Sequence, residues 1–165
     1  SQTENKNKKI IDLFLNDNRF EIYFIGKNAN ELSSYINANK ANNVILIDQF
    51  PPDKTLNYFN SIDGILNVYG NNTPLLDYAL SNKLYFSALL KKPILVSKDT
   101  YMEKYSLENG FGFVLDFEDK NIKESLFNFF ENINPETFSK RCDAFLAKVS
   151  EDNLKFEKRI FDLLN

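Results

Sequence analysis

The sequence contains no histidine, a single cysteine, and no apolar stretch approaching the roughly 18 residues that would span a membrane. Each absence removes a class of function. Without imidazole there is no Ser-His or Cys-His nucleophilic pair and no His-ligated metal, and Cys142 alone builds neither a Cys-type zinc site nor an internal disulfide. Any catalysis must therefore use carboxylates, Lys, Arg, Tyr, hydroxyls or amides, and neither a metal nor another cofactor is expected. Basic excess is missing too: 20 Lys and Arg against 23 Asp and Glu leave a net charge of −3, the wrong sign for a domain that wraps nucleic acid. The start over residues 1–9 is polar rather than a signal peptide, so a cytoplasmic protein is expected.

What is present is ordinary for a globular domain. Hydrophobic residues make up 43% and charged residues 26% of the 165 positions, which predicts one compact domain over residues 1–165 with a core that needs no staple. Ile10, Ile11, Phe14 and Leu15 repeat at helical spacing, and a buried strand follows over residues 20–25 before Gly26. The alternation continues. Leu32, Tyr35 and Ile36 mark a second helix, and Pro51, Pro52 and Asp53 open a third with Leu56 and Phe59 turned inward. Further strands are expected at 43–48, 63–69, 93–97 and 112–115. Ser81 stands where an N-cap belongs, ahead of residues 83–90, a helix apolar on most faces and expected to be buried. Three C-terminal stripes follow: Ile122 to Ile133, Phe138 to Val149 after Asn134 and Pro135, and Phe156 to Leu163. This order predicts an α/β fold: a doubly wound, Rossmann-like parallel sheet with helices on both faces and extra C-terminal helices.

Ligands of such sheets bind at the carboxyl edge of the strands. The edge loops here are 26–28, 48–50, 69–80, 97–99 and the turn at Asp116; the loop over 69–80 is much the longest, and long loops in compact domains tend to carry function.

The run over residues 81–96, with Asn82-Lys83-Leu84 and Pro93-Ile94, resembles the N-K-L-x-E-x-x-x-x-G-x-P-V-I stretch of the C-terminal, nucleotide-sugar-binding domain of GT-B-type glycosyltransferases of polysaccharide biosynthesis. Residues 23–26, 43–47, 56–64 and 109–114 are similar to that family's other landmarks, in the same order, so the resemblance covers about residues 10–130. It implies a donor-side domain that moves a sugar from a nucleotide-sugar, UDP- or GDP-linked, in bacterial surface or capsular polysaccharide synthesis. The partner would be an N-terminal acceptor-binding domain of the same enzyme, and the full enzyme would associate peripherally with a membrane. On this reading Ser81, Asn82 and Lys83 hold the donor diphosphate at a helix N-terminus, where free N–H groups, the dipole and a cation coincide. Gly26, Gln49, Asn72 and Asp77 take the ribose or base, with the base expected near residues 48–50. No catalytic residue is assigned.

Three departures stand beside the resemblance. The family's paired glutamates, eight positions apart, are replaced by Tyr78 and Phe86, and Phe86 cannot accept from a ribose; Asp77, adjacent to the first position, is the substitute acceptor. The family's Gly before Pro is Lys91. Its domain also opens with a strand and a Gly-rich turn, whereas here residues 1–5 lead almost at once into helix; either that strand has been trimmed away or this sheet lacks it. An isolated chain of this kind is expected to be inactive in transfer. The alternative function is a glycosyltransferase-like interaction or regulatory module without a donor site.

Overall fold

The apolar runs form short parallel strands: β1 (Ile22–Ile25), β2 (Val44–Ile47), β3 (Ile65–Asn67), β4 (Ile94–Ser97) and β5 (Gly112–Leu115), each inside the window its sequence pattern assigns. The computed structural model describes residues 2–49, 51 and 55–164. Helices separate the strands: α1 (Gln2–Phe14) leads to β1; a 3-10 turn (Ala29–Leu32) and α2 (Ser33–Asn39) lead to β2; α3 (Thr55–Asn60) leads to β3. Then come α4 (Pro74–Tyr78) and α5 (Asn82–Leu90) before β4, α6 (Tyr101–Glu108) before β5, and finally α7 (Ile122–Glu131) and α8 (Pro135–Leu164). Pro52, Asp53 and Phe50 lie outside the described residues, so the expected helix opening at Pro52 and Asp53 and the base contact at Phe50 fall there too.

Strand pairing departs from a single sheet. β1 pairs with β2, from Ile22 opposite Val44 to Ile25 opposite Ile47. In a separate ladder β4 lies between β3 and β5, with Ile65 opposite Ile94 and Ile94 opposite Gly112. Among the described residues no ladder joins the two. The architecture is thus α/β, with two parallel sheets flanked by helices.

Side-chain alternation along β4 explains how helices cover the strands. Ile94 and Val96 point into a cluster with Leu84 and Ala88 of α5, Met102 of α6, and Phe138, Cys142 and Phe145 of α8. Leu95 points the other way, into a cluster with Ile10 and Phe14 of α1, Ile22 of β1, and Ile122 and Leu126 of α7. A third cluster sets Ile11 of α1 against Leu32 and Ala41, with Phe24, Val44 and Leu46 around them. Since Ile22 belongs to the same cluster as Leu95, the two ladders share one core although they share no hydrogen bonds.

Two helices differ from their sequence patterns. The last two stripes form one helix, α8, because no Gly or Pro interrupts residues 136–164; Pro135 occupies its first turn and the Asn134 side chain accepts from the Thr137 N–H at 2.9 Å. Its first half is packed through Phe138, Cys142 and Phe145, while Phe156 in its second half is 64% exposed. Burial pushes the Cys142 thiol up to about 11, so it stays a protonated core group. Helix α5 is not enclosed as its apolar composition suggests: Leu84, Ser87 and Ala88 are buried, but Tyr85, Phe86 and Leu89 are exposed, because only one face of the helix meets the sheet and α8.

Away from the core, Arg19 ties the turn after α1 to α7, meeting Asp17 at 2.9 Å and Glu124 at 2.7 Å, and Lys123 stands 3.5 Å from Asp17. The hydrogen bond from Arg19, with its charge and that of Lys123, holds the Asp17 carboxyl well below the usual carboxylate range. A depressed folded-state pKa stabilises above the unfolded-state value and loses that contribution as pH falls, so unfolding titrations should show stability dropping below about pH 4, with a flatter acid limb in Asp17→Asn. Urea unfolding should also show Phe14→Ala costing about 3–5 kcal/mol and Phe156→Ala about 0.5 kcal/mol or less.

Candidate functional site

The carboxyl ends of β3 and β4 open into a cavity of about 170 Å³. Asn67, the last residue of β3, and Ser97, the last of β4, both line it; the parallel register sets Asn67 opposite Val96, so Ser97 extends one residue further. Ser81 and Thr100, the N-caps of α5 and α6, add two hydroxyls, and Leu76 and Met102 form an apolar wall.

Most of those polar groups are already engaged. Ser97 Oγ accepts from the Gly70 N–H at 2.8 Å, Thr100 Oγ1 donates to the Ser97 carbonyl at 2.8 Å, and Ser81 Oγ accepts from the Lys83 N–H at 3.2 Å. Asn67 is the exception. It is 4% exposed, and its Oδ1 is buried without a hydrogen-bond partner. A buried amide oxygen left unpaired costs on the order of 1–3 kcal/mol, an expense that a ligand donating an O–H or N–H would remove.

Two ammonium groups flank the same strand end. Lys83, in the first turn of α5, donates to the Leu66 carbonyl at 2.8 Å, and its Nζ stands 5.2 Å from the centre of the Tyr69 ring. Lys6, from α1, donates to the Tyr69 carbonyl and lies so close to Gly70 that a Cβ there would overlap its side chain. Gly70 has φ +95°, which its lack of a Cβ permits, and both properties let Lys6 in. Lys98 at the neighbouring edge is occupied elsewhere, pairing with Asp116 at 2.9 Å; that hydrogen bond raises the lysine pKa and lowers the carboxylate's.

The residues singled out in the sequence divide among four places. Ser81, Asn82 and Lys83 stand together at the start of α5, with Ser81 lining the cavity and with the correction that the Lys83 N–H is already bound by Ser81 Oγ. Asp77 lies in α4 and lines a separate, open groove of about 570 Å³ against α6, shared with Tyr78, Asp99, Tyr101 and Glu103; its Oδ1 is buried without a partner. Asn72, with φ 66°, gives its side-chain amide to Asn71 at 2.8 Å. Gly26 and Gln49 are at the ends of β1 and β2, where Gly26 takes φ +129° and donates to the Ile47 carbonyl at 2.9 Å. Nearby, Asp48 accepts from Asn30 at 3.0 Å through one oxygen and buries the other unpaired. Among the described residues no hydrogen bond links these two to the start of α5.

Lys6, Asn67, Ser97 and Thr100 are absent from the sequence-based set. Asn67 had a signal, as the one polar residue inside the apolar run 65–68; Lys6 had none, because only packing of α1 brings it to the end of β3. At Lys91, where the resembled family carries Gly, the backbone is left-handed with φ 55° at the end of α5, a conformation that suits glycine, and the lysine ammonium pairs with Asp143. Phe86 stacks on Phe59 at 5.9 Å, and Tyr78 lies 6.2 Å from Tyr101.

The chemistry available is recognition of an anion by two lysines next to an unpaired acceptor for a hydroxyl or amide. Since the Asn67 acceptor is costly only while unfilled, Asn67→Leu should raise the unfolding free energy of the unliganded chain by about 1–3 kcal/mol, measured by urea denaturation. Among the described residues no group of three or more His, Cys, Asp or Glu is placed to hold a metal ion, and no helix is long and apolar enough to cross a membrane.

No protein-family model and no curated protein matches this chain.

Proposed function

We propose that this chain is the donor-side domain of a GT-B-type glycosyltransferase and binds a nucleotide-sugar at the carboxyl ends of β3 and β4. In this reading the two ladders belong to one doubly wound, Rossmann-like sheet. The observation that carries it is the convergence of the Lys6 and Lys83 ammonium groups on the end of β3, beside the unpaired Asn67 oxygen. A nucleotide diphosphate meets both requirements, offering anionic oxygens to the lysines and sugar hydroxyls to Asn67. Ser81, Asn82 and Lys83 then take the diphosphate, the α5 dipole adds to the two cations, and the ribose finds acceptors at Asn72 or Asp77, with the base toward Gly26 and Gln49. The acceptor would come from a second, N-terminal domain, so this chain alone binds donor and does not transfer sugar. The proposed setting is cytoplasmic synthesis of a bacterial surface or capsular polysaccharide from a UDP- or GDP-linked donor.

A second reading, a glycosyltransferase-like interaction or regulatory module, is favoured by the stacking of Phe86 on Phe59 and by the engagement of Lys83 with the Leu66 carbonyl. Titration calorimetry with UDP, GDP, ADP and dTDP separates the two. Donor binding predicts millimolar or tighter affinity for one base, weakened about 10- to 100-fold in Lys83→Ala, the range of a charge-assisted contact. Heat from none of the four nucleotides would leave the module reading.

A further inference from the structure

Every residue from 150 to 164 of α8 is exposed, yet the apolar period of its packed half runs on through them. From Cys142 the positions Leu146, Val149, Asn153, Phe156, Ile160 and Leu163 follow at alternating steps of four and three, the heptad pattern of a two-helix seam. Cys142 is enclosed in the domain core, whereas Phe156, Ile160 and Leu163 are 64%, 42% and 81% exposed. A helical overhang of so few turns is marginal in water unless its apolar face is covered. We propose that this half of α8 pairs with the same half of a second copy of the chain, as an antiparallel two-helix seam. This inference does not rest on the glycosyltransferase reading.

Charge along the margins of the seam identifies the occupant and sets its direction. With Leu146, Asn153 and Ile160 at the a positions and Val149, Phe156 and Leu163 at d, Asp152 and Arg159 stand at g and Ser150 and Glu157 at e. In an antiparallel pair g faces g and e faces e. Setting Asn153 level with Phe156 of the second copy then brings Asp152 of each helix beside Arg159 of the other, twice by symmetry, and Glu157 beside Ser150. A parallel pair would instead set Asp152 against Glu157 twice, two like-charge contacts. Within one helix Asp152 and Arg159 lie two turns apart and do not meet, and Lys155 pairs with Glu151 at 2.7 Å while standing 3.7 Å from Asp152. The two Asn153 amides fall in adjacent central layers, where each can bond the other across the axis; a single polar a position of this kind fixes register.

A membrane surface fits this helix less well. It would favour a cationic polar face, but Glu151, Asp152 and Asp162 balance Lys155, Lys158 and Arg159 there, and Glu157 interrupts the apolar side. The area suits a weak dimer. Phe156, Ile160, Leu163 and Leu164 leave on the order of 500 Å² of side chain to water, short of the roughly 800 Å² that each partner gives to a standard interface, which puts the association in the micromolar range. Val149 and Leu146, half-buried at the rim of the core, lengthen the seam toward the domain, where Ile160 and Leu163 of the second copy reach them.

Sedimentation equilibrium of the 165-residue chain, from about 1 µM to about 1 mM, tests the proposal and should show a monomer–dimer equilibrium in the micromolar range. Ile160→Glu, at an a position, should weaken it by about 100-fold, while Leu154→Glu, exposed on the same helix but outside the seam, should change it by less than about 3-fold. Arg159→Asp should weaken it by about 10-fold, and adding Asp152→Arg to that variant should restore it. A chain that stays monomeric throughout would overturn the proposal, and binding of that monomer to phosphatidylglycerol vesicles would assign the face to a membrane instead. A dimer insensitive to Ile160→Glu, or one lost equally in Leu154→Glu, would overturn the seam. Tightening by Glu157→Lys, which relieves repulsion only in the parallel arrangement, would overturn the direction.

Discussion

The structure depends on burial of β4 from both sides. Ile94 and Val96 anchor one helical layer and Leu95 the other, and all three are among the least exposed side chains of the chain. A strand that is apolar at successive positions can sit only between two layers, and this requirement brings α5, α6 and α8 to one side and α1 and α7 to the other. At roughly 25 cal/mol per Å² of buried apolar surface, the two clusters supply the main driving force of the fold. Surface ion pairs such as Lys140 with Glu136 or Lys155 with Glu151 contribute far less, because both partners remain solvated.

The same layering places the candidate site. Register across β3 and β4 sets Asn67 opposite Val96, next to Ser97, the N-caps Ser81 and Thr100 close the first turns of their helices, and α1 extends Lys6 across to the end of β3. Stability is sacrificed there, because Asn67 lies in an otherwise apolar strand with a buried oxygen unpaired. The divided sheet belongs to the same region, for its open β3 edge provides the carbonyl that holds Lys83.

The sequence by itself determined the elements. Apolar runs with β-branched residues at 44–47 and 94–96 and the cap at Ser81 are local signals, and they produce strands and a helix start where periodicity puts them. The carboxyl-edge position of Ser81, Asn82 and Lys83 was legible for the same reason, since it follows from element order. Tertiary structure decided what local pattern cannot carry. Whether strands join in one ladder depends on pairing between distant segments, so the division between β1 and β3 had no trace in periodicity. Which face of α5 is covered depends on the course of α8, which left Tyr85, Phe86 and Leu89 exposed. The partners of Lys83 and the arrival of Lys6 depend on helix placement over 17 and 63 residues of separation, a scale on which side-chain contacts are set by packing and not by spacing along the chain.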